Sequence, residues 1–270
     1  MTHELGSEEL LKDAQDALHR QLTVIESSFK KLMVSDNEVA LNLYTLLFST
    51  YDSCKSILVL TQHLHLRDCF LTARTIYELT LNIGYIATGG QETLDKARRH
   101  LHQKAYRDLE RELTIESMNL TVKSLGIENL KIGKELQDAL NEYTTKKGLE
   151  VRSWTGDNAF HKIETISKKY GQKIKDILNI GLFNLYRHAS EIAHGTLFGL
   201  FYIIGATDLK DRPKDTNELL KFHRQHLTLI ILTICMLNEA NLTFMNDFAD
   251  LNTEVSQAEK ITLEFAHKSK

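Results

Sequence analysis

The 270-residue chain is long enough for one sizeable core, and its 42% apolar and 26% charged residues exclude a disordered or fibrous protein. A net charge of −3 provides no global basic field for nucleic acid or anionic lipid. Pro213 is the single proline where average usage would give about a dozen, and proline interrupts helices, so the composition points to long helices rather than a loop-rich β fold.

In chain order, Ser7-Glu-Glu opens a first helix whose apolar residues Leu10, Leu11, Ala14, Leu18, Leu22, Ile25 and Phe29 follow the three-to-four spacing of one face. The capping-box pattern Ser35-Asp-Asn-Glu38 introduces a second, to about His63. A third covers about Leu66 to Thr88 and stops at Gly89-Gly90, where a left-handed terminal residue costs little. The fourth, from about Glu92 to Asn119, is charged on most sides and reads as exposed; a shorter one covers Asn129 to Lys147. Trp154, inside the irregular stretch Gly148–Asp157, anchors that loop, and Asp157 caps a helix to about Tyr170. Apolar segments follow over Gln172–Leu178, Gly181–Ala193 and Thr196–Gly205. Asp215-Thr-Asn-Glu218 is another capping box and starts a long helix toward Leu251, and a last helix lies near Glu254–His267.

The fold class expected is all-α: a single bundle of long antiparallel helices over residues 1–270, with the exposed segment around 92–147 as a small helical lobe. The apolar stretches near Leu197–Ala206 and Leu227–Leu237 fall short of the roughly 20 residues of a membrane span. No signal-peptide pattern begins the chain, and Cys54, Cys69 and Cys235 are few, odd in number and set among apolar neighbours. A cytoplasmic protein with packing cysteines and no membrane contact is the expectation.

Charges on otherwise apolar helices carry the information about function, because unpaired burial is costly. Arg74, Glu78 and Asn82 recur every four residues on the third helix, as an internally paired stripe. The second stripe is Arg187, Ser190, Glu191 and His194. Arg187 and His194 are two helical turns apart, about 20° in azimuth and about 10 Å along the axis. Side chains of one helix lean the same way, so if the stripe is catalytic the two meet on one substrate atom more easily across a two-fold axis, which favours a homodimer. The structural alternative is an Arg187–Glu191 pair with His194 hydrogen-bonded in the core. Glu191-Ile-Ala-His194 and Glu264-Phe-Ala-His267 also carry the Glu-x-x-His spacing of di-metal carboxylate bundles, with Glu78 a candidate further ligand. His63-x-His65 would chelate only in a turn, and His223 and His226 read as solvated.

The Arg74-x-x-x-Glu78 helix, Ser153-Trp-Thr-Gly156 and Tyr186-x-x-x-Ser190-x-x-x-His194-Gly together resemble the bacterial family catalogued as domain of unknown function 5677, over roughly residues 41–204. That resemblance implies a helical bundle and no activity. Arg187-His188-x-x-x-x-x-His194 is also similar to the R-x(4–6)-H signature of HEPN domains, many of which are dimeric, metal-independent ribonucleases of toxin–antitoxin and phage-defence systems. The HEPN resemblance implies that Arg187 stabilises the scissile phosphate and His194 moves a proton, with His188 and Ser190 positioning the phosphate and Glu191, Arg74 and Glu78 in support. It implies RNA as substrate, an antitoxin or defence-system protein as partner, and no cofactor or metal. Two other expectations stand beside it: a non-enzymatic helical interaction module whose stripes are structural, and the di-metal bundle.

Overall fold

The computed structural model describes residues 3–123 and 133–268. Its helices are α1 (Glu8–Met33), α2 (Glu38–Gln62), α3 (Leu66–Leu109), α4 (Lys134–Glu142), α5 (Ala159–Gly181), α6 (Arg187–Ala193), α7 (Leu197–Ile203), α8 (Thr216–Met245) and α9 (Asn252–Lys268). A π-helical turn, Leu182–Tyr186, joins α5 to α6, and a two-stranded sheet, β1 (Glu110–Ile115) with β2 (Met118–Lys123), follows α3. A helical bundle is the observed class, with one hairpin the sequence reading did not anticipate. The chain divides into two compact units, Met1–Thr88 with Ala159–Lys270, and Gly89–Asn158.

In the first unit α8 is the central helix, packed by α1, α2, α5 and α9. The seven apolar residues that mark α1 in the sequence are all buried. Leu18, Ile25 and Leu32, seven residues apart, are wholly inaccessible, the spacing that keeps one seam facing a neighbouring helix. Ser7 caps α1 by accepting from the Leu10 N–H at 3.2 Å. Asn37 rather than Ser35 caps α2, through the Ala40 N–H at 3.1 Å, and Ser35 accepts from Asn37 instead. At α8 Asp215 accepts from the Glu218 N–H, and the Glu218 carboxylate accepts from the N–H of Lys214, one residue ahead of the cap, a variant of the capping box.

By length and composition alone α8 is apolar enough to cross a membrane, but 78% of its most apolar 18 residues are buried inside the protein, the burial of a core helix. That interior is not wholly apolar. The Gln21 amide nitrogen lies 3.1 Å from the carbonyl oxygens of Cys235 and Ala258 and 2.9 Å from the Thr262 hydroxyl, and its oxygen accepts from Asn238 at 3.3 Å. Asn241 donates to Thr80 at 3.0 Å. All three cysteines are free and buried, as the sequence suggested, and burial pushes the Cys54 and Cys69 thiols up to about 12, so neither is a nucleophile at neutral pH.

Both expected breaks are realised inside single long elements. Gly90 (φ 61°, ψ −141°) interrupts α3, and Gly171 (φ 82°, ψ −174°) interrupts α5, conformations that only glycine adopts without strain. In the second unit the Tyr143 hydroxyl lies 3.1 Å from the Lys96 carbonyl and 3.2 Å from that of Trp154. Arg99 bonds Glu142 through Nε at 2.7 Å, and Lys104 reaches Glu150 at 3.1 Å. The helix expected to run to Asn119 ends at Leu109. Beyond it Leu113, Ile115, Met118 and Leu120 alternate with Thr114, Asn119 and Thr121, a period of two, and a two-residue turn with Glu116 at φ 49° closes the hairpin. Leu113 pairs with Leu120 and Ile115 with Met118, and all four remain about half exposed. The N-terminal part of the helix expected from Asn129 lies outside the described residues; its described part is α4.

Candidate functional site

The second polar stripe is built where two helix ends meet. The apolar positions Ile174, Ile177, Leu178, Leu182, Leu185, Ala189 and Ile192 hold α5, the π turn and α6 against the core. α6 stops at His194 because Gly195 takes φ 62°. The Gly195 N–H bonds the Ile192 carbonyl at 3.1 Å and the Thr196 N–H bonds that of Glu191 at 3.2 Å, which together satisfy the last carbonyls of the helix in a Schellman motif. Thr196 then caps α7 by accepting from the Gly199 N–H at 3.1 Å. Its hydroxyl donates to Glu191 Oε2 at 2.9 Å.

That last bond decides the electrostatics. The expected Arg187–Glu191 pair does not form; Glu191 is held by Thr196 instead. The Arg187 side chain is exposed and makes no hydrogen bond or ion pair with the described residues; its backbone N–H bonds the Leu182 carbonyl. His194 is exposed as well and uses only its backbone N–H, bonded to the Ser190 carbonyl at 3.1 Å. Neither group is the sealed core residue of the structural alternative.

Phe183, Arg187, His188, Glu191 and Phe198 line an open groove of about 390 Å³. The structure thus brings Arg187, His188 and Glu191 to one surface, while His194 and Ser190 do not line it. The His188 ring stacks on Tyr202, with centroids 4.4 Å apart and planes 6° from parallel, and Phe198 continues the stack at 6.1 Å and 27°. Burial, reinforced by His226 and by the Arg187 charge, holds His188 below the usual imidazole value. A neutral, stacked ring of this kind is a poor phosphate clamp. His226 also lies in this aromatic cluster, 5.4 Å from Tyr202 and bonded to the Phe222 carbonyl, and His223 bonds the Ile203 carbonyl; both are half-buried, which corrects the reading of solvated histidines.

Arg74 and Glu78 do pair, at 3.0 Å, but on a half-exposed face rather than inside the bundle, with Arg74 24% and Glu78 47% exposed. The Arg74 guanidinium also lies 4.9 Å above the Tyr186 ring, so the first stripe braces the π turn that precedes Arg187. The Glu-x-x-His pairs do not converge. Glu264 is tied to Arg20 at 2.9 Å, and among the described residues no group of three or more His, Cys, Asp or Glu is placed to hold a metal. His63 and His65 do flank a turn, with rings 6.1 Å apart.

Sequence reasoning missed Thr196, Phe183, Phe198 and Tyr202. For Thr196 a signal existed, since His194-Gly195-Thr196 spells a helix stop followed by a cap. Gly199 fixes the approach of α7 to α6: an added Cβ would lie 2.7 Å from the Glu191 carbonyl group and 2.8 Å from the Ile192 nitrogen. Gly199→Ala should therefore cost about 1–3 kcal/mol, read by urea denaturation, because the obstacle is backbone and cannot rotate away.

A family model matches residues 40–212, which takes in both polar stripes and α7. The chain belongs to the family of unknown function DUF5677. Membership places the matched segment without giving it a chemistry. Neither the curated proteins nor the solved structures gave a match.

Proposed function

We propose that this chain is a HEPN-like, metal-independent endoribonuclease that works as a homodimer in the cytoplasm, in prokaryotic defence or as the toxin of a toxin–antitoxin pair. The observation that carries the reading is the exposed Arg187 guanidinium, left without a protein partner although a carboxylate sits one turn away on the same helix. Unpaired, the guanidinium keeps its two-pronged set of donors for a phosphate. In the proposed reaction the 2′-oxygen bonds phosphorus and the bond to the 5′-oxygen breaks. The 2′-hydroxyl gives up its proton and the 5′-oxygen gains one. Arg187 holds the charge that builds on the phosphoryl oxygens, and His194 carries one of the two protons.

Two turns separate the groups within one chain, so a two-fold crossing that sets Arg187 beside His194 of the partner subunit completes the site. Uncovered apolar residues on α7 favour such a crossing: Leu197 is 74% and Leu200 56% exposed. Complementation tests it. Arg187→Ala and His194→Ala chains, each inactive alone, should regain about one quarter of wild-type cleavage when unfolded and refolded together, since half the dimers are mixed and each has one intact site. No recovery would refute the shared site.

The second reading, a non-enzymatic interaction module, is favoured by the hairpin, whose exposed apolar face is a surface that partners commonly cover. Absence of RNA cleavage under any condition, with hairpin variants that lose a protein partner, would select it.

A further inference from the structure

The groove beside Arg187 does not look like a bare phosphate site. It offers one free cation, one carboxylate and two exposed aromatic rings, Phe183 at 66% and Phe198 at 54% exposure. A polyanion surface would not place a carboxylate among its contacts, and a protein–protein core depletes charge from its centre. Rings with free π faces next to one guanidinium suit a different occupant: an unstacked nucleobase whose own phosphate reaches the cation.

The interior of the protein prepares that surface. Phe198, Tyr202 and His188 form a stack of three rings, with Phe70 at 5.7 Å and His226 at 5.4 Å from Tyr202, both edge-on. His188 and Tyr202 are half-buried, and the stack is open at Phe198. Phe183, on the π turn, lines the same groove. Glu191 is held in place through Oε2 by Thr196, which leaves Oε1 to accept a hydrogen bond from an occupant.

We infer that Phe183 and Phe198 form a base-binding subsite for single-stranded RNA, in which a base extends the Phe198–Tyr202–His188 stack and Glu191 accepts from its N–H edge. The inference rests on the ribonuclease reading for its choice of ligand. An amino-bearing edge suits a carboxylate; the uracil N3–H is flanked by two carbonyl oxygens that repel it. Adenine and cytosine are therefore preferred to uracil.

The test uses the full-length His194→Ala protein, which binds without cutting, and fluorescence anisotropy of labelled oligoadenylate, oligocytidylate and oligouridylate of about ten nucleotides. Phe183→Leu and Phe198→Leu, which keep apolar bulk and lose the π face, are each expected to weaken oligoadenylate binding about tenfold. Their oligomeric state and melting temperature should match those of the parent. Glu191→Gln is expected to erase the preference over oligouridylate. Binding that depends on Arg187 but not on either phenylalanine would overturn the subsite and leave the nuclease reading intact. A changed oligomeric state in the Phe→Leu variants would overturn it by assigning the rings to the dimer interface. No RNA binding by any form would overturn both readings.

Discussion

In EDTA, cleavage of single-stranded RNA by the purified protein should fall about 100- to 1,000-fold in Arg187→Ala and about 100- to 10,000-fold in His194→Ala. The first figure is that for removing one fixed donor from a developing oxyanion, and the second that for removing a positioned proton carrier. Neither substitution should move the thermal midpoint measurably, because an exposed side chain without a partner contributes within about 0.5 kcal/mol of stability. The pairing of lost cleavage with an unchanged melting curve separates a catalytic from a packing role. Arg187→Lys restores the charge but not the two-pronged donor geometry, so it should recover only part of the loss. If both alanine variants retain wild-type cleavage, the proposed activity is wrong.

Lys173→Met should destabilise the first unit by about 3 kcal/mol at neutral pH, measured by urea denaturation, the low end of the range for breaking a buried pair. Lys173 lies 2.6 Å from Glu239 and 2.7 Å from Glu259. Glu239 is almost wholly enclosed, with 6% side-chain exposure, whereas the Lys173 side chain is 57% exposed, so water at the vacated position softens the loss. Burial raises the Glu239 pKa above the ordinary carboxylate value, and the Lys173 hydrogen bond and charge oppose that rise. A raised folded-state pKa means that the native protein holds the proton longer than the unfolded chain. Stability from this group is then complete below the ordinary carboxylate value and declines as pH rises through the folded pKa. Removing Lys173 raises that pKa further. The destabilisation should accordingly be largest at neutral pH and shrink on acidification toward the ordinary carboxylate value. Adding Glu239→Gln to Lys173→Met should return part of the stability and flatten the pH profile.

The first helix and the two glycine breaks were legible because each leaves a local signature: a regular apolar face, a capping residue, a glycine where φ turns positive. The hairpin was not, because the charges of Glu110, Arg111 and Glu112 continue those of the preceding helix and mask the change of period from 3.6 to 2 that begins at Leu113. The π turn left no mark at all, since the apolar positions run through Leu178, Leu182, Leu185 and Ala189 at ordinary helical intervals. Of the site, Arg187 and His194 stood out as polar residues on an apolar helix. Their exposure was beyond the sequence: it depends on the turn of the chain at Gly195, and on Glu191 bonding Thr196 across that turn rather than Arg187, the partner that helical spacing favours. The aromatic wall was invisible for the same reason, as Phe183 and Phe198 read as two more core residues.

The Gln21 amide has a consequence for how the bundle can move. Its acceptors sit on two other helices, the Cys235 carbonyl on α8 and the Ala258 carbonyl and Thr262 hydroxyl on α9, and Asn238 holds its oxygen. Sliding α1 by one turn would leave leucine against leucine almost unchanged, but would strand the Gln21 amide and the Asn238 nitrogen that meets it in a dry interior. The amide contributes modest net energy and yet works as an index mark: it admits one vertical setting of three helices and forbids the neighbouring ones, so that a ratchet between registers is closed to this bundle.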